Sequence, residues 1–138
     1  MKLISNSRQH RVVVYALAAL WTLGLIVALA LPGDSMPRID KRFPWPLPAG
    51  IDKGVHALLF FGETLLLAWA FGLARSFEQA LKWSLVAAAL LAIGTEILQI
   101  WIPARSHDWK DLVANFAGVA MGLATYWLWR RSRRAESP

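Results

Sequence analysis

The sequence contains no cysteine among its 138 residues, and it has only nine acidic residues and three histidines. Without cysteine, the chain can form neither a disulfide framework nor a thiolate metal site. Charged residues make up 17% of the chain and hydrophobic residues 57%, which is too little polar surface for a soluble domain of this length. The excess of basic residues flanks apolar runs, which indicates contact with membrane lipids rather than nucleic acid.

Four continuous apolar runs are present, and they predict membrane-spanning helices at 12–31, 54–74, 83–102 and 112–129. Each run is close to the ~20 residues that a helix needs to cross the hydrocarbon core of a bilayer. The sequence therefore predicts an all-α fold, an integral membrane bundle of four transmembrane helices. The whole chain is predicted to be one domain that ends in a basic cytoplasmic tail, residues 130–138.

The distribution of lysine and arginine predicts the orientation of the bundle. The N-terminus, the loop between spans 2 and 3 and the C-terminal tail hold nine of these residues, and the other two loops hold six. The positive-inside rule then places both termini in the cytoplasm. The loop between spans 1 and 2 contains five prolines, which predict an extended segment that is either a simple connector or a lid.

The polar residues that interrupt spans 2 and 3 fall into helical stripes. Asp52, His56 and Glu63 are spaced i, i+4 and i+11, which puts them on one face of a helix, and Asp52 is also predicted to be the N-cap. Glu96 and Gln99 share a face of span 3 with small residues that let a neighbouring helix approach. This pair is read either as part of a functional site or as a hydrogen-bonded clamp between helices.

Span 4 begins with a similar stripe. Asp108, Asp111 and Asn115 share a face with Gly118 and Gly122, and one of the two aspartates is predicted to cap the helix. The two glycines form a GxxxG pattern, which predicts either close packing inside the bundle or the contact surface of a homo-oligomer.

In an up-and-down bundle the start of span 2, the end of span 3 and the start of span 4 meet at one end, which the orientation places outside the cell. Because charge is costly in hydrocarbon, such a convergence is a functional-site hypothesis. It can bind a polar headgroup or phosphate, or support acid–base chemistry through His56. The spacing of His56, Glu96, Asp108 and Asp111 is not that of a metal motif, so neither a metal nor another cofactor is predicted.

The motif Asp52-Lys53-x-x-His56 and the later set Glu96-x-x-Gln99, Arg105, Asp111-x-x-x-Asn115-x-x-Gly118 and Gly122 resemble the VanZ-like family of small bacterial membrane proteins. The resemblance covers residues 51–122. It implies a four-helix domain in a bacterial cell (inner) membrane. The family takes its name from a protein associated with resistance to the glycopeptide antibiotic teicoplanin.

Three hypotheses for function follow. In the first, the cluster binds membrane lipids, a lipid-linked wall precursor or a glycopeptide antibiotic, with Lys53 and Arg105 as anion contacts. In the second, the protein is an intramembrane enzyme with His56 as the base and Glu96 or Asp111 as the acid or orienting partner. In the third, the polar residues only lock the helices together. The ligand-binding residues of the first hypothesis are Asp52, Lys53, Gln99, Arg105, Asp108 and Asn115.

Overall fold

The computed structural model describes residues 2–31, 51–103 and 108–135, with side chains from residue 8 onward. It contains four helices, α1 (Lys2–Ala30), α2 (Ile51–Gly72), α3 (Phe77–Gln99) and α4 (Trp109–Ala135). Within these ranges every regular element is helical, which confirms the predicted all-α class. The proline-rich loop that the sequence offers as a connector or a lid lies outside the described residues.

All four helices are long and apolar enough to cross a membrane. The shortest, α2, has 22 residues and is therefore about 33 Å long, slightly more than the hydrocarbon core. Large apolar side chains cover the outside of the bundle, and Leu20, Leu58 and Leu90 are each about two-thirds exposed. An apolar exterior of this kind is expected where lipid replaces water, so the four predicted spans are confirmed. The side of the membrane on which the termini lie stays a prediction.

The helices do not end where the apolar runs end. The first helix begins at Lys2, ten residues before the predicted span, and α4 continues through Ala135, six residues beyond it. Hydropathy marks the part of a helix inside hydrocarbon, whereas the helix itself continues until its hydrogen bonding is interrupted. At 27 residues, or about 40 Å, α4 carries the first residues of the predicted basic tail as helix.

The loops at its two ends show how α3 is bounded. Ser76 caps its first turn, since the Gln79 backbone N–H donates to the Ser76 hydroxyl and the Ser76 N–H donates to the Gln79 side chain. This reciprocal pair satisfies two donors that the first turn would otherwise leave free. At the other end α3 stops at Gln99, where the N–H groups of the next three residues bond carbonyls three positions back instead of four. Pro103, which has no N–H, follows this tighter turn.

The helices alternate in direction, so the bundle has two chemically different ends. The polar end contains the end of α3 and the starts of α2 and α4, with Lys53, His56, Glu96 and Asn115. The basic end contains the turn after α2 and the end of α4. Its cations include Arg75, Arg130, Arg131 and Arg134. Between the two ends lies an apolar core formed by Leu25, Leu29, Phe60, Ala88, Ala92 and Val119.

The most extensive helix pair is α2 with α4, which run parallel. Gly118 makes this possible, because a Cβ atom there would collide with the Ala57 carbonyl and lie 3.0 Å from the Phe61 backbone nitrogen. Gly122 faces Thr64 in the same way. The GxxxG face is thus occupied by α2 of the same chain. In contrast, α1 packs on α2 and α3 and has no contact with α4 in the described ranges.

Candidate functional site

A shallow ionic cluster marks the entrance to the polar end. The Lys53 ammonium lies 2.8 Å from an oxygen of Asp52, 3.3 Å from one of Asp108 and 3.1 Å from one of Asp111. Three carboxylates therefore surround one cation, and this group of four side chains is net negative. Lys53 joins the first turns of α2 and α4, which leaves it poorly available as an anion contact.

Asp52 is not the helix cap that the sequence suggested. It is the second residue of α2, and its side chain turns to the neighbouring Lys53, where it accepts a 2.8 Å hydrogen bond. A carboxylate in the first turn still interacts favourably with the helix dipole. Aspartate is therefore favoured both at the N-cap and in the first turn. This is why the pattern alone did not separate a first-turn position from the cap.

The cap of α4 is Asp108 rather than Asp111. Its Oδ1 accepts a 3.0 Å hydrogen bond from the Lys110 backbone N–H, and its carbonyl accepts one of 2.9 Å from the N–H of Asp111. The Lys110 N–H, with Lys53 in a smaller role, holds the pKa of Asp108 below its ordinary value. Asp108 thus remains a carboxylate near neutral pH, and Asp111 is left to face Lys53.

Beneath the ionic cluster lies a hydrogen-bonded chain of three buried side chains. The Asn115 amide nitrogen donates to Glu96 Oε1 over 3.0 Å, and Asn115 Oδ1 lies 2.9 Å from His56 Nδ1. His56, Glu96 and Asn115 are 5%, 3% and 0% exposed, so the chain is shielded from water. One residue comes from each of α2, α3 and α4, and together they join the three helices that the sequence stripes predicted would meet.

The hydrogen bonds among His56, Asn115 and Glu96 determine which ring nitrogen of His56 carries a proton. Because the Asn115 amide donates to a carboxylate through its nitrogen, its oxygen must face His56, and an amide oxygen only accepts. The His56 Nδ1 therefore carries a proton and donates it to Asn115. The other ring nitrogen, Nε2, has no hydrogen-bond partner among the described residues. In the neutral ring this nitrogen is a lone-pair acceptor, the form that binds a donor or acts as a base.

Gln99 takes the clamp role that the sequence offered as an alternative. It is 2% exposed, and its Nε2 donates a 3.2 Å hydrogen bond to the backbone carbonyl of Leu29. This carbonyl is one of the last in α1, where no intrahelical N–H is available to it. Gln99 therefore fastens the end of α1 to α3 and does not join the His56 chain.

A second polar contact, between α1 and α2, lies deeper in the bundle. Glu63 is fully buried, and its Oε1 is 2.8 Å from the Thr22 hydroxyl, which also lies 2.9 Å from the Ala18 carbonyl. One turn away, the Trp21 indole N–H donates to the Leu59 carbonyl over 3.1 Å. The sequence singled out Glu63 but missed Thr22. A lone hydroxyl at matching depth in span 1 was the available signal, but the uniformly apolar run does not show which way it faces.

Proton counting predicts that Glu63 is a neutral acid. The Thr22 hydroxyl has one proton and two acceptors nearby, and the Ala18 carbonyl cannot donate, so a proton on Glu63 relieves the competition. We expect Glu63→Gln, which also donates without charge, to change the free energy of unfolding by less than about 1 kcal/mol. Thermal unfolding in detergent, with the exposed Glu78→Gln as the matched control, measures this. A loss several times larger for Glu63→Gln alone would mean that the carboxylate form is required.

One predicted contributor and the question of a metal remain. Arg105, the proposed anion contact, lies outside the described residues. Within the described ranges, no group of three or more histidine, aspartate or glutamate side chains could hold a metal ion. The acids of the entrance instead face Lys53, and Glu96 faces Asn115.

Comparison with known proteins identifies the family. The family model described as VanZ/LLP1 matches residues 4–130, nearly the whole chain. The chain belongs to the VanZ/LLP1 family. This confirms the resemblance drawn from the spaced motifs and, with the four apolar helices, makes this VanZ/LLP1 member a multi-pass membrane protein.

A curated relative extends the comparison to a eukaryote. The uncharacterized protein C11E3.10 of Schizosaccharomyces pombe is 33% identical over 88 residues, 64% of this chain and 53% of that protein. The VanZ/LLP1 chain described here thus spans about half the length of that relative. No solved structure matches the present chain.

Proposed function

We propose that the polar end binds the headgroup of a cell-envelope lipid and faces the outside of a bacterial inner membrane. The observation that carries the proposal is the His56–Asn115–Glu96 chain, which holds a buried histidine with Nε2 unengaged by the described residues. A buried polar chain at a membrane boundary is costly unless it is fully satisfied, and a polar ligand would satisfy it. The count of lysine and arginine supports the outward orientation.

The charge of the entrance narrows the class of ligand. Asp52, Asp108 and Asp111 outnumber Lys53, so the described entrance favours hydroxyl and ammonium groups over a bare phosphate. Lipid-linked wall precursors and lipophilic glycopeptide antibiotics both carry sugar hydroxyls and peptide amines. We therefore propose one of these as the ligand, and resistance to teicoplanin as the phenotype. The yeast relative favours including ordinary phospholipids as competitors in any test.

The test compares His56→Phe with His10→Phe. His10 is an exposed histidine beside Trp69 near the opposite end, so its replacement makes the same chemical change away from the polar end. We expect the wild type and His10→Phe to bind a polyprenyl-diphosphate-linked wall precursor in nanodiscs about tenfold more tightly than His56→Phe, the effect of one hydrogen bond to a buried group. Native mass spectrometry measures the bound lipid, with phosphatidylethanolamine as competitor.

Equal binding by a folded His56→Phe protein would contradict the proposal. The same three proteins are then expressed in a bacterial host at matched membrane abundance. Teicoplanin tolerance is expected to rise with the wild type and His10→Phe and to be lost with His56→Phe. Tolerance that is unchanged by any of the proteins would remove the antibiotic phenotype while leaving the binding result intact.

A second candidate function, catalysis, is favoured by the fixed tautomer of His56. A neutral imidazole oriented through Nδ1 by a hydrogen-bonded amide is arranged to take a proton through Nε2 from a ligand hydroxyl or a water. Asn115, rather than Asp111, is the orienting partner, and Glu96 orients Asn115. Incubating each lipid probe with the wild type and measuring its mass distinguishes the two functions, because a binder returns the probe unchanged.

A further inference from the structure

The basic end contains a small cavity that the polar-end proposal does not use. It has a volume of about 210 Å³ and is lined by Phe77, Trp127, Arg130, Arg131 and Arg134. It lies where α4 continues past the length needed to cross the bilayer, beside the first residue of α3. The cavity is therefore at the depth of lipid phosphates rather than acyl chains.

Aromatic rings hold the three guanidinium groups in place. Arg130 and Arg134, one turn apart on α4, lie 5.9 Å and 5.2 Å from the centre of the Phe77 ring. Arg131 lies 5.2 Å from the centre of the Trp127 ring. A guanidinium packed on a ring interacts through its carbon and its face, and its N–H groups point outward in its plane. Three guanidinium groups, each with several N–H donors, thus line the cavity.

These donors have no anionic partner in the described parts of the chain. The salt bridges found there all involve Lys53, and none involves Arg130, Arg131 or Arg134. Arg130 Nε is buried and has no hydrogen-bond acceptor among the described residues. Leaving a buried charged donor without an acceptor is costly, and so is grouping three cations. An anion in the cavity would remove both costs.

We propose that this cavity binds the phosphate of an anionic membrane phospholipid. A phosphate matches the forked N–H groups of arginine, and its charge offsets the cluster. A lipid is favoured over free phosphate because Trp127, which lines the cavity, is 40% exposed, and its neighbour in sequence Leu128 is 59% exposed, so apolar surface is available for acyl chains next to the arginines. The site is at the opposite end of the bundle from His56 and is independent of the function proposed there.

The test measures lipid preference in nanodiscs that contain phosphatidylcholine with added phosphatidylglycerol. We expect native mass spectrometry to find phosphatidylglycerol bound to the wild type at least about tenfold more than phosphatidylcholine. The double variant Arg130→Gln/Arg134→Gln is expected to lose this preference. The matched control Arg8→Gln/Arg11→Gln removes two exposed cations from α1 near the same end and is expected to keep it. Equal loss in both double variants would mean general surface attraction and would overturn the site.

Two further experiments test the proposal independently of the arginine variants. Phe77→Leu removes the ring beneath Arg130 and Arg134 without changing charge, and is expected to lower the preference several-fold. An unchanged preference in folded Phe77→Leu would contradict the proposal, even where the arginine variant fails to fold. Inorganic phosphate is then titrated in detergent. If it raises the unfolding temperature as much as phosphatidylglycerol at the same concentration, the site takes free phosphate and the lipid proposal is wrong.

Discussion

Replacing Gly118 with alanine is expected to separate α2 from α4 and to destabilise the protein by about 3 kcal/mol, the upper end of the usual range for overpacking a tight contact. The added methyl group would meet the Ala57 carbonyl and would lie 3.0 Å from the Phe61 nitrogen. Both obstacles are backbone atoms, so no side-chain rotation can make room. The added methyl group can be accommodated only if α2 and α4 move apart as whole helices.

Gly94→Ala is the matched control for this prediction. Gly94 lies inside α3, and a Cβ atom there would meet nothing within 4 Å. Because alanine is the better helix former, this variant is expected to be unchanged or stabilised by up to about 1 kcal/mol. Thermal unfolding in detergent and the amount of protein in the membrane measure both variants. Similar behaviour of the two variants would show that the α2–α4 approach is looser than described.

Replacing Asn115 with leucine is expected to have the second large effect. The change removes the hydrogen bonds to both His56 and Glu96 while keeping a similar volume. A single hydrogen bond within a membrane protein contributes roughly 0.6 kcal/mol on average, because the unfolded chain finds other partners in the bilayer. Here two buried groups lose their common partner and one is a carboxyl group, so we expect a loss of about 2 kcal/mol.

A double-mutant cycle separates the hydrogen-bonded chain from simple packing. His56→Phe, Asn115→Leu and the double variant are expected to show a coupling free energy of about 1 kcal/mol. Thr125→Val serves as control, because that exposed hydroxyl bonds only within α4 and its loss should change stability by less than about 0.5 kcal/mol. Additive effects of His56→Phe and Asn115→Leu would mean that the two side chains are neighbours without a shared hydrogen bond.

Hydropathy predicted the number and order of the spans, because burial in lipid demands ~20 apolar residues whatever the neighbours are. It could not predict where α1 begins or α4 ends, since helix continues into the interface. The position of Asn115 was predictable because polar residues at helical spacing reveal the face of α4. The rotation of α1 was not, because nearly every residue of that helix is apolar. Thr22 and the Leu29 carbonyl were therefore missed as partners of Glu63 and Gln99.

The difference between Asp52 and Lys53 shows another limit of sequence patterns. Both were assigned to ligand binding, but Lys53 is held by three carboxylates and Asp52 is mainly its partner. The excess of acid around Lys53 arises only when α4 brings Asp108 and Asp111 to the start of α2. The spacing of residues within α2 does not reveal the net charge around Lys53, because two of the three carboxylates come from the start of α4.

The pairing of α2 with α4 also governs how the protein is made. Because synthesis runs from the N-terminus, α2 is made before α4. Until α4 is made, His56 lacks its hydrogen-bond partner Asn115, and the surface of α2 that packs against Gly118 and Gly122 is uncovered. Only synthesis of the final helix satisfies these groups. A chain cut short after α3 would therefore lack Asn115, the residue of α4 that bonds both His56 and Glu96. The most extensive contacts that hold α2 in place therefore form only when the last helix is made.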